Sequence, residues 1–465
     1  MDVKVSEHGI EIIGVDPIPA DARIMNSWKM MVFWSMASAS ALTPLIGYLL
    51  YPLGLIYMLI AITIAFFIGF IPVGIFSDMG RLIPVPAMIL SRRTLGYASS
   101  SIMSLVFTFV NLGWFGLNDI TGGLILSSVT SSSPVIWISF MALVQILLVM
   151  FGAKYLEKFY RYTAVLLVLS YAILAYLLFT IYHPDIALLL HPSSQVNWGS
   201  AIGLVLAFSI LAWAYKVSTI SRFARSRENG ESMQKRIGYF IAPSIGIILP
   251  VYLMGSLGLI SQAVTGNWNL AAVRFGGIGG LESLIAITAS IGASLAIIHT
   301  NSMNLYPATA DLLSAIEGLF KRNMKKYAQP ISTMILGSLG AVLAYLGILN
   351  YASGFLNISG SIIFPFTFLL IADWFMVIRR SSRYMDLYSI PKTGVGNANI
   401  AGVLGLVTGI FLNLTPLEPL NDVFLYFPQD LFGSIMGMLV FIIITKVLQR
   451  VNMAPEEREA DRTAE

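Results

Sequence analysis

The chain contains no cysteine and very little charge for its length. None of its 465 residues is a cysteine, and only 11% are Asp, Glu, Lys or Arg. Disulfides, thiolate metal sites and thiol nucleophiles are therefore excluded. A soluble protein carries roughly 25% charged residues, and a soluble chain of this length would form about three domains. The shortage of charge excludes a soluble enzyme, a nucleic-acid-binding protein and a disordered scaffold.

Sequence motifs for hydrolysis and nucleotide binding are also missing. The chain has no H-E-x-x-H, no G-x-S-x-G and no P-loop, so neither hydrolysis nor ATP coupling has its usual residues. Its four histidines are too scattered to suggest a metal cage, and no repeated charge ring suggests a channel filter. We therefore expect neither an enzyme nor a resident cofactor. A secondary transporter is the function class that remains.

The chain is instead a series of apolar runs, and 57% of its residues are hydrophobic. A helix of about 20 residues crosses roughly 30 Å of hydrocarbon. We predict twelve such membrane spans: 28–50, 54–77, 100–128, 134–153, 160–182, 199–219, 238–264, 282–306, 329–349, 354–378, 396–415 and 430–449. The mixed charges that precede the first span, without the apolar core of a secretory signal, indicate a cytoplasmic tail.

The positions of lysine and arginine support this count and give an orientation. Of the 28 such residues, all except Arg274 fall in segments that alternating spans place on one side, with Lys216 counted there as well. Cytoplasmic segments carry the excess of positive charge, so we predict both termini inside, in the cytoplasmic (plasma) membrane. The predicted divisions are a tail at 1–27, a transport core at 28–378, two accessory helices at 396–449 and a tail at 450–465.

Two spans show features of an interrupted helix. In the first span, Ser38 and Ser40 belong to a run of small residues ahead of Pro44, which suggests unwinding, although close packing through Ala and Ser would explain the same residues. If five spans form one repeat, the sixth span is the counterpart of the first. The sixth span has no central Gly or Pro, and its notable residues are Ser209 and the aromatic Trp213.

The third span carries an unusual polar face. Asn111, Trp114 and Asn118 are spaced so that they share one side of a helix. Asparagines that bond a neighbouring helix would explain the two amides, at about 0.6 kcal/mol each. Alternatively, the indole offers a stacking surface worth ~1–3 kcal/mol to a planar ring, with an amide beside it to read the ring edge. The second interpretation predicts a site for a heterocycle.

Four motifs in order resemble one known family. They are IIGVDPIPADAR at 12–23, GWFG at 113–116, SRFARS at 221–226 and TNSMNLY at 300–306. Each resembles a segment of the nucleobase:cation symporter-1 family, particularly the bacterial cytosine permeases and the hydantoin transporters. The resemblance implies an all-α membrane protein with a LeuT-type inverted-repeat core, made of spans 1–5 and 6–10, and two C-terminal helices. It also implies cation-coupled import of a nucleobase or related ring, such as cytosine, a purine, a hydantoin or allantoin, by alternating access.

The resemblance implies a set of substrate-binding residues. Trp114 falls on the family's stacking tryptophan, and Ile210 stands where the family usually has a second aromatic, so Trp213 is a candidate replacement. The full predicted set is Trp114, Asn111, Ser209, Ile210, Trp213, Asn301 and Asn304.

The resemblance also places a coupling cation between the first and eighth spans. The predicted positions are Ser35, Ser38, His299 and Thr300. Sodium-coupled relatives tend to have adjacent hydroxyl residues in the eighth span, whereas this chain has a histidine, which titrates near pH 6.5. Sodium and proton coupling both remain open, as does a neutral histidine with a purely structural role.

Other functions stay open at this stage. An amino-acid or vitamin carrier on the same fold is the main alternative, and a channel or a non-transporting receptor is less favoured. The expected partners are a small heterocyclic substrate and the lipid bilayer. The oligomeric state is not predicted, although a monomer is sufficient for this mechanism.

Overall fold

The computed structural model describes residues 5–193, 195–227, 230–277, 279–321, 327–376 and 396–452. The described chain is almost entirely helical, apart from a hairpin of β1 (Ser6–Glu7) and β2 (Ile10–Glu11). The helices are α1 (Ser27–Ser38), α2 (Leu45–Leu49), α3 (Gly54–Leu82), α4 (Ala87–Leu95), α5 (Tyr97–Thr130), α6 (Pro134–Met150), α7 (Ala153–Tyr182), α8 (Trp198–Phe208), α9 (Ile210–Ser221), α10 (Met233–Thr265), α11 (Gly280–Phe320), α12 (Ala328–Tyr345), α13 (Ala352–Met376), α14 (Ile400–Leu414), α15 (Asn421–Phe424) and α16 (Gln429–Asn452).

Every predicted span falls on a helix or on a pair of helices. The first span is α1 with α2, the sixth is α8 with α9, and the other ten are α3, α5, α6, α7, α10, α11, α12, α13, α14 and α16. In the described residues, nine helices are long and apolar enough to cross a membrane, while α6 is shorter and α14 is bent by 74° from the short helices after it. The helix positions agree with the sequence, and the count of twelve crossings stays a prediction.

The first span is unwound between α1 and α2, as its small residues and proline predicted. Side chains satisfy the backbone that the break leaves free: the Thr43 hydroxyl donates to the Ser38 carbonyl at 2.8 Å, and the Leu42 amide donates to the Ser40 hydroxyl at 3.0 Å. Ser40 in turn donates to the side-chain oxygen of Asn118 in α5. Irregular backbone within the membrane needs such protein partners because lipid offers none.

The sixth span is interrupted at a single residue. α8 ends at Phe208 and α9 begins at Ile210, and Ser209 between them has φ −129° and ψ −93°. No glycine or proline marks this position. The break therefore depends on tertiary packing, which explains why its sequence signal is weak.

The contacts between helices correspond when the first five spans are exchanged for the second five, as expected of two structural repeats. α1 packs on α10 and α3 packs on α9, so the first span contacts the seventh just as the second contacts the sixth. α5 and α11, the third and eighth spans, pack extensively on each other. α14 and α16 pack together against α13, outside this core. The contacts therefore support the division into spans 1–5, spans 6–10 and two accessory helices.

Glycines bring α10 against the interrupted first span. A Cβ atom on Gly258 would lie 2.0 Å from the Pro44 carbonyl oxygen, a contact that backbone must move to relieve. We expect Gly258→Ala to cost about 1–3 kcal/mol of unfolding free energy through overpacking, visible as a lower melting temperature in detergent. Gly354→Ala in α13 is the matched control, since no atom lies within 4 Å of its added Cβ. Equal melting temperatures for both variants would contradict this close approach.

The N-terminal segment, residues 5–26, is docked on the helices. Glu11 is 3% exposed, and its carboxylate accepts hydrogen bonds from the Tyr306 hydroxyl at 2.6 Å, the Gln329 amide at 2.9 Å and the Ala153 backbone amide at 2.9 Å. Further along, Arg222 donates to a backbone carbonyl of the segment at 3.0 Å. These contacts bring the starts of the fifth and ninth spans and the end of the sixth to the same segment, while the orientation in the membrane stays a prediction.

The Asp16 carboxyl of this segment lies near the Arg222 guanidinium. Desolvation raises the pKa of the Asp16 carboxyl above its ordinary value, and the nearby Arg222 guanidinium opposes that shift. The described part of the predicted N-terminal tail thus packs against the helices, and its cytoplasmic location stays a prediction. Of the predicted C-terminal tail, residues 453–465 lie outside the described residues.

Candidate functional site

A cavity lies where the two interrupted spans meet α5 and α11. Its volume is about 20 Å³, which is room for about one water molecule, so the cavity is nearly closed in this conformation. Its walls come from the first-span break, α5, the sixth-span break, α10 and α11. The lining residues are Ser38, Ser40, Leu42, Thr43, Trp114, Asn118, Phe208, Ser209, Ala212, Trp213, Lys216, Val251, Thr300 and Asn304.

Trp114 forms one aromatic wall of the cavity. The indole is only 6% exposed and is held in edge-on contact by Phe208 and Phe355, with ring centroids 5.7 and 5.4 Å away. Gly113 allows Phe355 to approach, because a Cβ there would lie 2.3 Å from that ring. The Trp114 Nε1–H has no hydrogen-bond partner among the described residues. A buried donor without a partner at a cavity wall is available to a ligand.

The sixth span supplies a second aromatic and a second unpaired polar group. Trp213 also lines the cavity, fixed by edge-on contact with Trp34 at 5.7 Å between centroids. The Ser209 hydroxyl at the helix break is 1% exposed and has no hydrogen-bond partner in the described part of the chain. The break thus turns a hydroxyl toward the cavity instead of into a helix.

Lys216 is the one lysine or arginine among the residues that line the cavity. It is 2% exposed in α9, its Nζ donates to Asn304 Oδ1 at 2.9 Å, and it lies 4.4 Å from the Trp213 ring centroid. Lys216 was counted with the cytoplasmic loop charges although it lies inside the predicted span 199–219, and the structure buries it within α9 at the cavity. A lysine inside a predicted span was itself a signal of function.

A chain of amides leads from Lys216 to a buried carboxylate in α5. Asn304 donates to Asn301 Oδ1 at 3.3 Å, and Asn301 donates to Gln145 Oε1 at 3.2 Å. Gln145 then donates to Asp119 Oδ1 at 3.3 Å. Asn304 lines the cavity, whereas Asn301 lies behind it and orients Asn304. Asn301 was predicted to contact substrate directly, and the structure gives it this indirect position.

Two other predicted substrate residues lie away from the cavity. The Asn111 amide donates to the Tyr215 hydroxyl at 2.9 Å and to Asp311 Oδ2 at 3.0 Å. Ile210 is fully buried against Gly69 of α3, where an added Cβ would lie 2.5 Å from its side chain. Because α9 restarts directly after Ser209, Ile210 faces outward from the cavity and Trp213 faces it. The third-span amide that does line the cavity is Asn118, on the same predicted face.

The first-span and eighth-span residues predicted to hold a cation are near each other, and their polar atoms are mostly engaged. Thr300 and Ser38 line the cavity. Thr300 donates to the Ala37 carbonyl at 2.6 Å, and Ser38 donates to a carbonyl of α10 at 2.6 Å. The Ser35 carbonyl accepts the Ala39 amide at the last turn of α1.

His299 faces α7 and does not line the cavity. Its Nε2 lies 2.6 Å from the Thr163 hydroxyl, and its carbonyl accepts a hydrogen bond from the Tyr160 hydroxyl. Among the described residues, no group of three or more His, Asp or Glu is placed to hold a metal ion. The predicted positions that line the cavity, Ser38 and Thr300, carry hydroxyl oxygens, and oxygen is the ligand type that hard cations take.

Comparison with known proteins gives a match along most of the chain. Residues 17–425 match the family model described as a permease for cytosine/purines, uracil, thiamine and allantoin. A hydantoin permease from Microbacterium maritypicum is 23% identical over 312 residues, which cover 64% of this chain and 62% of that permease. The match thus spans less than two thirds of that relative. A purine-uracil permease from Arabidopsis thaliana is 24% identical over 427 residues, or 81% and 68% of the two chains.

Solved structures share the fold at low identity. A nucleobase-cation-symport-1 family transporter, in a closed conformation with bromovinylhydantoin bound, superposes with a TM-score of 0.77 at 17% identity, covering 96% of this chain and 97% of that one. A sodium-coupled sialic acid symporter in a substrate-bound, outward-open state gives a TM-score of 0.62 at 16% identity over 94% and 92%. These likenesses confirm the predicted fold class of a LeuT-type helical core.

Proposed function

Because this chain belongs to the nucleobase:cation symporter-1 family of multi-pass membrane permeases, we propose that it imports a small planar heterocycle by cation-coupled alternating access. The observation that carries the proposal is the cavity at the two helix breaks, with Trp114 as a wall. Two buried groups without a partner among the described residues, the Trp114 indole N–H and the Ser209 hydroxyl, support a polar contact with a ring edge. The nearly closed cavity would have to widen before a ring could bind, as an exchange between conformations allows.

Substrate binding follows from the chemistry of the cavity walls. Trp114 and Trp213 offer aromatic surfaces, and stacking a ring on such a surface is worth ~1–3 kcal/mol. The cavity lies between two spans that are each built from two separate helices, so each half of a span can move without the other. Alternating access then requires the ligand and the cation to bind the two conformations with different affinities.

For the coupling ion, we favour a proton over sodium. The bundle does contain ionisable residues away from lipid: Lys216, Asp311 and Asp119 are each at most 2% exposed. Such residues inside a membrane bundle commonly belong to proton or substrate pathways.

The test is uptake of radiolabelled uracil and hydantoin into proteoliposomes under imposed ion gradients. We expect saturable accumulation driven by an inward proton gradient in sodium-free buffer, and its loss when a protonophore is added. Sodium-dependent accumulation that resists the protonophore would refute proton coupling and leave the transporter assignment intact. Binding without accumulation would identify a receptor, and conductance without saturable uptake would identify a channel.

A second candidate is a carrier for carboxylated substrates. The structure gives it one specific support, the lysine at the cavity, since an ammonium group can pair with a carboxylate. Nicotinate and aromatic amino acids added to the same uptake assay would separate this candidate, because they lack the ring carbonyls of uracil and hydantoin. Accumulation of those compounds alone would favour it.

A further inference from the structure

Three side chains that line the cavity keep hydrogen-bond donors that the described residues do not use. The amides at the wall are already used: Asn118 donates to the Trp114 carbonyl at 2.8 Å and accepts from Ser40, while Asn304 accepts from Lys216. The hydroxyls of the first-span break donate to protein carbonyls or to Asn118. What remains for a ligand is the indole N–H of Trp114, the Ser209 hydroxyl and the unused N–H bonds of Lys216.

The Lys216 ammonium retains donor capacity that the protein does not use. An ammonium has three N–H donors, and the described residues provide one hydrogen bond, to Asn304, and one ring face, that of Trp213. No carboxylate in the described chain lies within ion-pair distance of Lys216. Asp311 interacts with it electrostatically from further away, while one carboxylate oxygen of Asp311 accepts from Asn111.

The position of Lys216 is fixed by its neighbours. Asn304 is held by Asn301, and Trp213 is held by Trp34, so the two groups that contact the ammonium are themselves packed. A buried ammonium without a paired carboxylate is costly in a membrane protein unless another group compensates it. A ligand that brings an acceptor to the cavity would supply that compensation.

Resting on the proposed function, we infer that Lys216 determines the specificity of the cavity and selects planar rings that present an acceptor edge. Three groups provide such an edge: a ring carbonyl beside a ring N–H, the anion that forms when this N–H loses its proton, and a carboxylate attached to the ring. A ring that presents an amino group at the same place would direct an N–H donor at the N–H donors of Lys216, and no hydrogen bond would form. The inferred substrate class is therefore oxo-heterocycles, such as cyclic imides and ureides, in preference to amino-heterocycles.

Pairs of ligands that exchange one carbonyl for one amino group test this inference. Uracil against cytosine and hypoxanthine against adenine are such pairs, measured by ligand-induced thermal stabilisation of the purified protein, since a bound ligand stabilises by RT ln(1 + [L]/Kd). We expect the oxo member of each pair to bind at least about tenfold more tightly, as a charge-assisted hydrogen bond would give. Orotate, which is uracil with a carboxylate, distinguishes a ring carbonyl from a ring carboxylate as the preferred acceptor. If orotate binds more tightly than uracil, the preferred acceptor is the carboxylate.

The variant test removes the ammonium and keeps the shape of the side chain. Lys216→Met should reduce the preference within each pair to less than about threefold, whereas Lys154→Met, at the exposed start of α7, should retain it. If Lys216→Met fails to fold, the double variant Lys216→Met/Asp311→Asn removes both buried charges together. A variant that keeps the wild-type preference would overturn the inference and indicate a purely structural lysine.

The wild-type measurement distinguishes the two proposals. If the oxo and amino members bind equally well and are transported, the inference about Lys216 is wrong and the proposed function stands. If no member of either pair binds or is transported, while the protein is folded, the proposed function itself fails for these rings. A preference for the amino members would also overturn the inference.

Discussion

Trp114→Ala is expected to abolish substrate uptake while the protein still folds and reaches the membrane. The substitution removes the stacking surface, worth ~1–3 kcal/mol, and a buried N–H that has no partner among the described residues. It also frees Phe208 and Phe355, which now contact the indole edge-on, to collapse into the space. Both effects act on the same site, so we expect at least a hundredfold loss in uptake efficiency, measured as initial rate over substrate concentration.

Two controls separate loss of the site from loss of the fold. Trp28→Ala removes an indole that is 65% exposed near the start of α1, and this variant should transport at close to the wild-type rate. Trp114→Phe keeps an aromatic surface without the N–H, and intermediate uptake is expected from it. Wild-type uptake by Trp114→Ala would rule out the stacking model, because no other aromatic residue lies on that wall of α5 among those lining the cavity.

Glu11→Ala is expected to open the side of the bundle on which the N-terminal segment is docked. The carboxylate ties this segment to α7, α11 and α12 through three hydrogen bonds, and breaking a buried charged network of this kind commonly costs about 3–5 kcal/mol. Arg222, which donates to Tyr306 at 2.8 Å, would also lose part of its support. Accumulation should fall at least tenfold, because a gradient is maintained only if this side closes.

The absence of cysteine makes this opening measurable. A single cysteine introduced as Ala212→Cys would line the cavity in a chain with no other thiol. In inside-out vesicles, Glu11→Ala should speed its labelling by an impermeant maleimide about tenfold, while Asp21→Ala, at an exposed position of the same segment, should leave the rate unchanged. Equal labelling rates for Glu11→Ala and the parent would contradict a closing role for the segment. Faster labelling in right-side-out vesicles instead would reverse the predicted orientation.

The third span shows what helical spacing can predict about the residues of a site and what it cannot. Asn111, Trp114 and Asn118 share one face, and the prediction of a ligand site on that face chose Trp114 and Asn111. The structure places Trp114 and Asn118 at the cavity and turns Asn111 toward Tyr215 and Asp311. Spacing along one helix says which side chains share a face, but the neighbouring helices decide which of them meets the cavity.

The eighth and sixth spans show the same limit for individual residues. The motif at 300–306 located Asn301 and Asn304 near the ligand, yet an amide of α6 draws Asn301 away and leaves Asn304 at the wall. In the sixth span, the prediction singled out Ile210 because it stands where the family usually has a second aromatic residue. Lys216 was counted among the loop charges. The partner Gln145 is not visible in the local sequence, whereas the predicted span 199–219 already contained Lys216.

The sequence by itself determined the class of protein, the positions of its helices and the interruption of the first span. These follow from local physics: apolar length sets a membrane helix, charged residues avoid hydrocarbon, and proline with small residues favours a break. Only the tertiary structure decided that the sixth span breaks at Ser209, that Glu11 ties the N-terminal segment down, and that Lys216 faces the cavity. Those features depend on contacts between helices distant in sequence, and a buried polar group takes its direction from the partner that satisfies it.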